Sequence, residues 1–487
     1  MRFIKKFKKW NPSIYATILI FLIPFSYFLI TKFKLNNDFW FLVNAGKLIL
    51  NKGFIRIEPF TIHENLVFIP GQWLTDIIFY LIYNKFNILG MFILEITINS
   101  LIIFLIYKSS LLISNKRNIS IYITVGIDII FLTMEILTTR PQMFDIVFFL
   151  LELLFLELYI KKKKKYIFFI PLISLLLINF HASMWLMIFV FLLPYYVEYF
   201  IKKIKKENTF KIKPIIIITI LSFVFGFLNP YTIDSILYLF NSYGIEEINN
   251  FVAEMHVVTV KNGLFIYIII FMGLLAFYIN KKNNKIRYFL LFIGTTYLTL
   301  SHSKGVLFLL VVLGFILGDC FNKKEIININ ETKLIKLEKL IYVVLIVGFI
   351  GFSLFNIKFT YEPKLKEIAD YLDKNATKDI KLFTGYNNGS YLEYRGYKCY
   401  IDPRAEVFLK KFNKKEDIFL EYYNVIIGNI DVNNFLEKYN FDYLLVEPSI
   451  ENLIVKELNN NENYELVLKT DEYERNYHII YYLYKRR

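Results

Sequence analysis

Charge-free apolar runs recur along most of this chain, and they limit its fold more than any other feature. Strings such as YATILIFLIPFSYFLI and YIFFIPLISLLLINF contain no charged residue. Their blocks of roughly 17–22 residues match the length of helix that crosses a hydrocarbon core. A large soluble protein can bury one or two such helices, but not so many. Hydrophobic residues make up 56% of the chain, above the share of a soluble domain. Spans are expected near 14–33, 88–107, 119–137, 142–160, 166–181, 183–201, 214–229, 263–280, 288–301, 305–319 and 340–357, about eleven in all. The start MRFIKKFKKW resembles the basic end of a signal peptide, but TKFKLNNDFW offers no small-residue cleavage site, so a retained anchor is expected.

Orientation follows from the cations, because Lys and Arg in short loops stay on the cytoplasmic side. One set of loops carries Lys5, Lys6, Lys8 and Lys9, then Lys116–Arg117, Lys161–Lys165, Lys202, Lys203, Lys205 and Lys206. It continues with Lys281, Lys282, Lys285 and Arg287, and ends at Lys323–Lys324. The opposite loops, around 34–87, 138–141, 229–262 and 301–304, hold only scattered cations. A multi-pass protein of the cell membrane follows, with the N-terminus cytoplasmic and the C-terminal region extracytoplasmic. The net charge of +15 then marks topology and contact with lipid headgroups, and no nucleic-acid partner is needed to explain it.

The histidines His63, His181, His256, His302 and His478 all fall outside the spans or at their outer ends, level with Asp38, Glu58, Arg140, Asn229, Glu246, Glu254 and Lys304. Any active site is therefore expected on the outer face. Cys320 and Cys399 fall on opposite sides in this topology, so neither a disulfide nor a thiolate metal site is expected.

Two parts are expected: a membrane domain, 1–358, with outer loops 34–87 and 229–262, and a small α/β domain, 361–487. PKLKEIADYLDKNA has the helical pattern, with Leu365, Ile368, Ala369 and Leu372 on one face. KLFTG, KCYID, YLLVE, YELVLKT and HIIYYLYK have the strand pattern. In the first outer loop, TDIIFYLIYNKF is too short to span. It suits either a helix along the membrane interface, with Trp73 at headgroup depth, or the start of the second span.

Asp38 follows the first span directly, in NNDFWFLVNAGKLIL. A carboxylate there can accept a proton as a general base, and burial against Phe39 and Trp40 would raise its pKa toward a useful range. It can equally cap the helix that follows. Asp402 and Arg404, in the polar turn IDPR, can hold a sugar acceptor by charge-assisted hydrogen bonds or form an internal ion pair.

The order of these features resembles the GT-C superfamily of glycosyltransferases: a first span, an Asp just outside it, a long outer loop, many further spans and an external α/β domain. A prokaryotic branch within or near that superfamily is similar in finer detail. The matching stretches are NDFWFLVNAGKLILNKGFIRIEPFT, GQWLTDIIFYLIY, TTRPQMFDIVFFLLELL, LLINFHASMW, FLNPYT and TGYNNGSYLEYRGYKCYIDPRAEVF. The resemblance implies sugar transfer from a polyprenyl-phosphate donor to a glycan, lipid or protein acceptor in the envelope. It implies Asp38 as the base, with Arg140, His181, His302 and Lys304 around the donor phosphate. Glu58, His63, Glu254, His256, Asp402 and Arg404 are candidate acceptor or loop contacts. No cofactor is expected. Some superfamily members carry a second acid beside the catalytic Asp, and this sequence does not; a divalent cation needs several oxygen ligands, which Glu58 and Glu254 supply only if the fold brings them close.

Acids inside the expected spans support a different class. Glu95, Asp128, Glu135, Asp145, Glu152, Glu157 and Glu198 are costly in lipid and by default suggest a path for an ion or substrate, as in a transporter or flippase. No repeated pair of interrupted helices accompanies them. Use of a lipid-linked oligosaccharide, as in a polymerase or ligase, and a silent envelope scaffold complete the alternatives.

Overall fold

The computed structural model describes residues 33, 35–134, 138–242, 248, 251–281, 283–322, 363–474 and 477–487. The expected spans near 14–33 (save Phe33) and near 340–357 lie outside the described residues, as do Glu135, Glu246 and Lys323–Lys324. After α1 (Asp38–Lys52), the long α2 (Trp73–Ser114) contains the expected span 88–107. Asn87, at φ 50 and ψ −145, breaks α2, so TDIIFYLIYNKF is a helix of its own joined to the span by one non-helical residue. Next come α3 (Arg117–Thr133), α4 (Gln142–Ile160), α5 (Ile170–Phe180), α6 (Met187–Ile204) and α7 (Lys213–Phe225). Then follow α8 (Ile233–Ser242), α9 (Val260–Ile279), α10 (Ile286–Ser301) and α11 (Val306–Cys320). Among the described residues, four helices are long and apolar enough to cross a membrane: Trp73–Ser114, Ala182–Ile204, Val260–Ile279 and Ser303–Cys320. The other expected spans among the described residues are also helical but are shorter or, like α4, carry acids.

The chain forms two compact units that interleave along the sequence. The first comprises Met1–Lys34, Leu89–Asn229 and Val252–Thr360. Its centre is α11, which is apolar on every face and buried on most of them, as a helix surrounded by other helices must be. Gly314 and Gly318 let it approach α2 and α3, since a Cβ at either position would already touch Ile106, Ile127 or Ile113. The acids Glu157 and Glu198, which suggest an ion path in the sequence, both bind Arg287. Its Nε and Nη2 donate to Glu157 at 2.6 and 2.9 Å, and its Nη1 donates to Glu198 at 2.8 Å. The Arg287 backbone N–H also donates to Glu198, at 2.9 Å, satisfying a free donor in the first turn of α10. Arg287 is thus a buried tie between α4, α6 and α10 as well as a member of a basic loop.

The second unit comprises Leu35–Ile88, Pro230–Phe251 and Tyr361–Arg487. Its sheet has the order β2-β1-β3-β5-β4, from β1 (Lys381–Thr384), β2 (Lys398–Cys399), β3 (Tyr443–Val446), β4 (Tyr464–Glu474) and β5 (Tyr477–Arg486). β1 runs parallel to β2 and β3, while β5 is antiparallel to β3 and β4. All five expected strands are present. β3 is buried along its whole length, as its central place in the sheet and its run of YLLV require. The expected amphipathic helix is α12 (Lys366–Asn375), burying Ile368, Ala369 and Leu372. The stretch around Thr61 pairs with Cys399 of β2 as an isolated parallel bridge. α1 lies close against α2, where a Cβ on Gly46 would fall 2.1 Å from the Asp76 carbonyl oxygen.

Candidate functional site

In the first unit, Arg140 and Lys304 converge on one carboxylate. Arg140 ends the turn before α4, beside Pro141 at its N-cap, and Lys304 lies in the short turn Ser303–Gly305 that joins α10 to α11. Arg140 Nη1 is hydrogen-bonded to Glu254 Oε1, and Lys304 Nζ is 3.7 Å from Glu254 Oε2. Backbone contacts hold the Glu254 segment against that turn: Ser303 Oγ donates to the Glu254 carbonyl at 3.1 Å, and Ser303 N to the His256 carbonyl at 3.2 Å. Burial acts to raise the Glu254 pKa, but the charges of Arg140 and Lys304 outweigh it and leave the carboxyl below its ordinary value. These three residues line a cavity of about 210 Å³ with Thr138, Gln142 and Ser303 on its polar side and Met134, Ile266, Val306 and Leu307 on its apolar side. Two cations, hydroxyl and amide donors and an apolar flank can hold a phosphate that carries a hydrocarbon tail.

His181 and His302 are not in the lining of that cavity. His181 follows the C-terminus of α5, and its Nδ1 is 2.6 Å from Asp145 Oδ2 in the first turn of α4. A carboxylate on one ring nitrogen fixes the tautomer and leaves Nε2 for other chemistry. His302 ends α10, two residues before Lys304. His256 contributes its carbonyl to the tie with Ser303, and its side chain is exposed.

In the second unit, Asp38 is the first residue of α1, with Asn37 at the N-cap. It is half-buried, and its backbone N–H donates to Asn36 Oδ1 at 3.1 Å. The start of α1 is pinned to α13 (Gly389–Tyr394) by Ser390 Oγ, which donates to the Asn37 carbonyl at 2.8 Å. Trp40 packs on Tyr391 and Tyr394, with ring centroids 4.9 and 4.8 Å apart. A carboxylate in a first helical turn is favoured by the helix dipole, and this packing gives its helix a fixed base.

Glu58, Asp402 and Arg404 come together in a buried cluster. Arg404 Nε donates to both Asp402 oxygens, at 2.9 and 3.0 Å, and its Nη2 donates to Glu58 at 2.8 Å. Glu58 also accepts from the Phe60 and Thr61 backbone at 2.9 and 3.0 Å. Glu393 is the fourth member, 3.8 Å from Arg404. Burial, and then the neighbouring Asp402 charge, push its carboxyl well above the ordinary range. His63 Nε2 lies 2.8 Å from the Tyr400 carbonyl, and burial lowers its pKa. Glu58 and Glu254, the sequence's candidate oxygen ligands for a divalent cation, are thus each turned onto an arginine. Asp145 and Glu393 were not among the site residues expected from sequence. TTRPQMFD carries a signal for Asp145, which one helical turn places near Arg140's end of α4, whereas nothing local marks Glu393.

No protein-family profile and no curated protein sequence matches the chain. The fold does have a counterpart among solved structures. A crystal structure of the Archaeoglobus fulgidus oligosaccharyltransferase, tethered through a disulfide bond to an acceptor peptide containing the NVT sequon, matches with a TM-score of 0.58. The identity is 9%, and the match covers 89% of this chain and 69% of that one. The likeness is one of fold alone.

Proposed function

We propose that this chain is a membrane glycosyltransferase that moves a sugar from a polyprenyl-phosphate-linked donor to an envelope acceptor on the outer face. The convergence of Arg140 and Lys304 on Glu254 in a half-apolar cavity carries the reading. A phosphate presents the same charge and the same bidentate oxygens as the Glu254 carboxylate, so it takes that carboxylate's place between the two cations. The family resemblance alone assigns His181, oriented by Asp145, and His302 to the donor phosphate, since neither lines the cavity. Asp38 is the general base that takes the proton of the acceptor hydroxyl or amide as the anomeric carbon is attacked. The acceptor peptide tethered to the oligosaccharyltransferase of like fold supports trying protein acceptors first. In this reading the shorter helices α3, α5, α7 and α10 and the acid-bearing α4 also cross the bilayer. The N-terminus is cytoplasmic, and 361–487 is an extracytoplasmic domain.

The test is transfer by membranes containing wild-type protein or Asp38→Asn, supplied with labelled polyprenyl-phosphate sugars and native envelope acceptors. Loss of a general base costs roughly 10²–10⁴-fold in rate, so label should move with wild type and fall by that factor with Asp38→Asn. Equal transfer by both removes Asp38 from the mechanism, and no transfer from any donor by folded protein defeats the enzyme reading.

A transporter is the second reading, favoured by Asp128 and Glu152, whose buried side-chain oxygens have no hydrogen-bond partner among the described residues. Substrate movement that collapses with the proton gradient, in protein inert toward every donor, would establish it.

A further inference from the structure

We propose that α8 and the stretch 50–57 form a membrane-docking surface, with α8 lying in the interface of the leaflet from which the outer loops emerge and its apolar face among the acyl chains. α8 is amphipathic: Ser235 and Ile236 are buried in the second unit, while Ile233, Leu237 and Phe240 are exposed, at the spacing of one helix face. Phe240 is 59% exposed, and Ile57, from the adjoining stretch, is 55% exposed. The two pieces are fixed to each other. Tyr231 Oη donates to the Ile55 carbonyl at 3.2 Å, Arg56 is ion-paired to Asp234, and Phe54 packs edge-on against Tyr231 and Trp73. Leu50 and Phe54 extend the exposed apolar surface.

Two further observations identify the lipid bilayer as the occupant. Residues 226–232 alone join the apolar helix α7 to α8, and at about 3.5 Å per residue they reach no farther than about 25 Å. A helix tethered so closely to an apolar segment stays near the membrane surface. The rim of the patch carries two lysines: Lys52 and Lys411 are exposed, and Lys411 Nζ donates to the Phe240 carbonyl at 3.1 Å. That arrangement, an apolar face with aromatic and cationic edges, is that of an interfacial helix, which sinks about 5–10 Å into the headgroup–acyl boundary and prefers anionic lipid. The surface is independent of the sugar-transfer reading.

The experiment attaches an environment-sensitive fluorophore to Leu237→Cys, and separately to Phe240→Cys, in the full chain reconstituted in phosphatidylcholine nanodiscs with and without phosphatidylglycerol. Cys320 and Cys399 are buried, so the introduced thiol takes the label. Asn460→Cys, on an exposed helix end, is the aqueous control. Both α8 positions should emit to the blue of the control and lose roughly twofold or more in intensity when lipids carry a nitroxide high on the acyl chain. Control-like emission that only a water-soluble quencher reduces overturns the proposal. Blue-shifted emission that lipid nitroxides leave unchanged also overturns it, and assigns the face to a protein partner or a second copy.

Discussion

Glu451 is fully buried, with Tyr422 Oη and the Glu447 backbone N–H each donating to it at 2.6 Å. Burial pushes its carboxyl from 4.5 up to about 7. The folded chain therefore keeps a proton there that the unfolded chain has released over that pH window, so this residue lowers stability as pH rises through it. The contribution of Glu451 is intact below pH 4.5 and about 3 kcal/mol smaller above pH 7. Thermal unfolding of wild type and Glu451→Gln between pH 5 and 8 should show a fall in Tm for wild type that the variant lacks, and parallel profiles would refute the assignment. The buried cluster shows how far single residues were legible. Asp402 and Arg404 are two positions apart, and their pairing was one of two readings open from IDPR. Glu58, which completes the cluster, lies 346 positions from Arg404, and no local pattern announces a partner at that distance.

Among the elements, α4 coincides with its expected span because a Pro at its N-cap and a Lys run at its end mark both limits. The break at Asn87 was half legible: the sequence left TDIIFYLIYNKF open as a separate helix or as the start of the second span, and the positive φ at Asn87, which no local pattern marks, divides the two. Arg287 was legible as a topology marker, since its neighbours are lysines, but its burial between α4 and α6 was not. Removing one partner of such a buried network strands the others, at roughly 3–5 kcal/mol, whereas removing all the charges together can be nearly neutral. Arg287→Met should thus sharply reduce the yield of monodisperse protein. The triple variant Arg287→Met, Glu157→Gln, Glu198→Gln should recover most of it. Equal losses in both would mean that the tie contributes little beyond packing.

For the whole molecule, the charge pattern predicts sidedness. A membrane-impermeant maleimide applied to intact cells should label Asn460→Cys and leave Lys163→Cys unlabelled until the membrane is opened, and the reverse result would invert the topology. The same strings that read as spans and strands emerge as helices and a sheet, because periodicity is a local property. The interleaving of two units is not local and was invisible in the sequence. It also sets a clock. After Glu58 leaves the ribosome, 346 further residues separate it from Arg404, and at about 5–20 residues per second their synthesis takes about 20–70 s. Throughout that interval the stretch around Glu58 exists without the guanidinium that neutralises its buried acid, so the second unit closes late, and only when the end of the chain returns to its beginning.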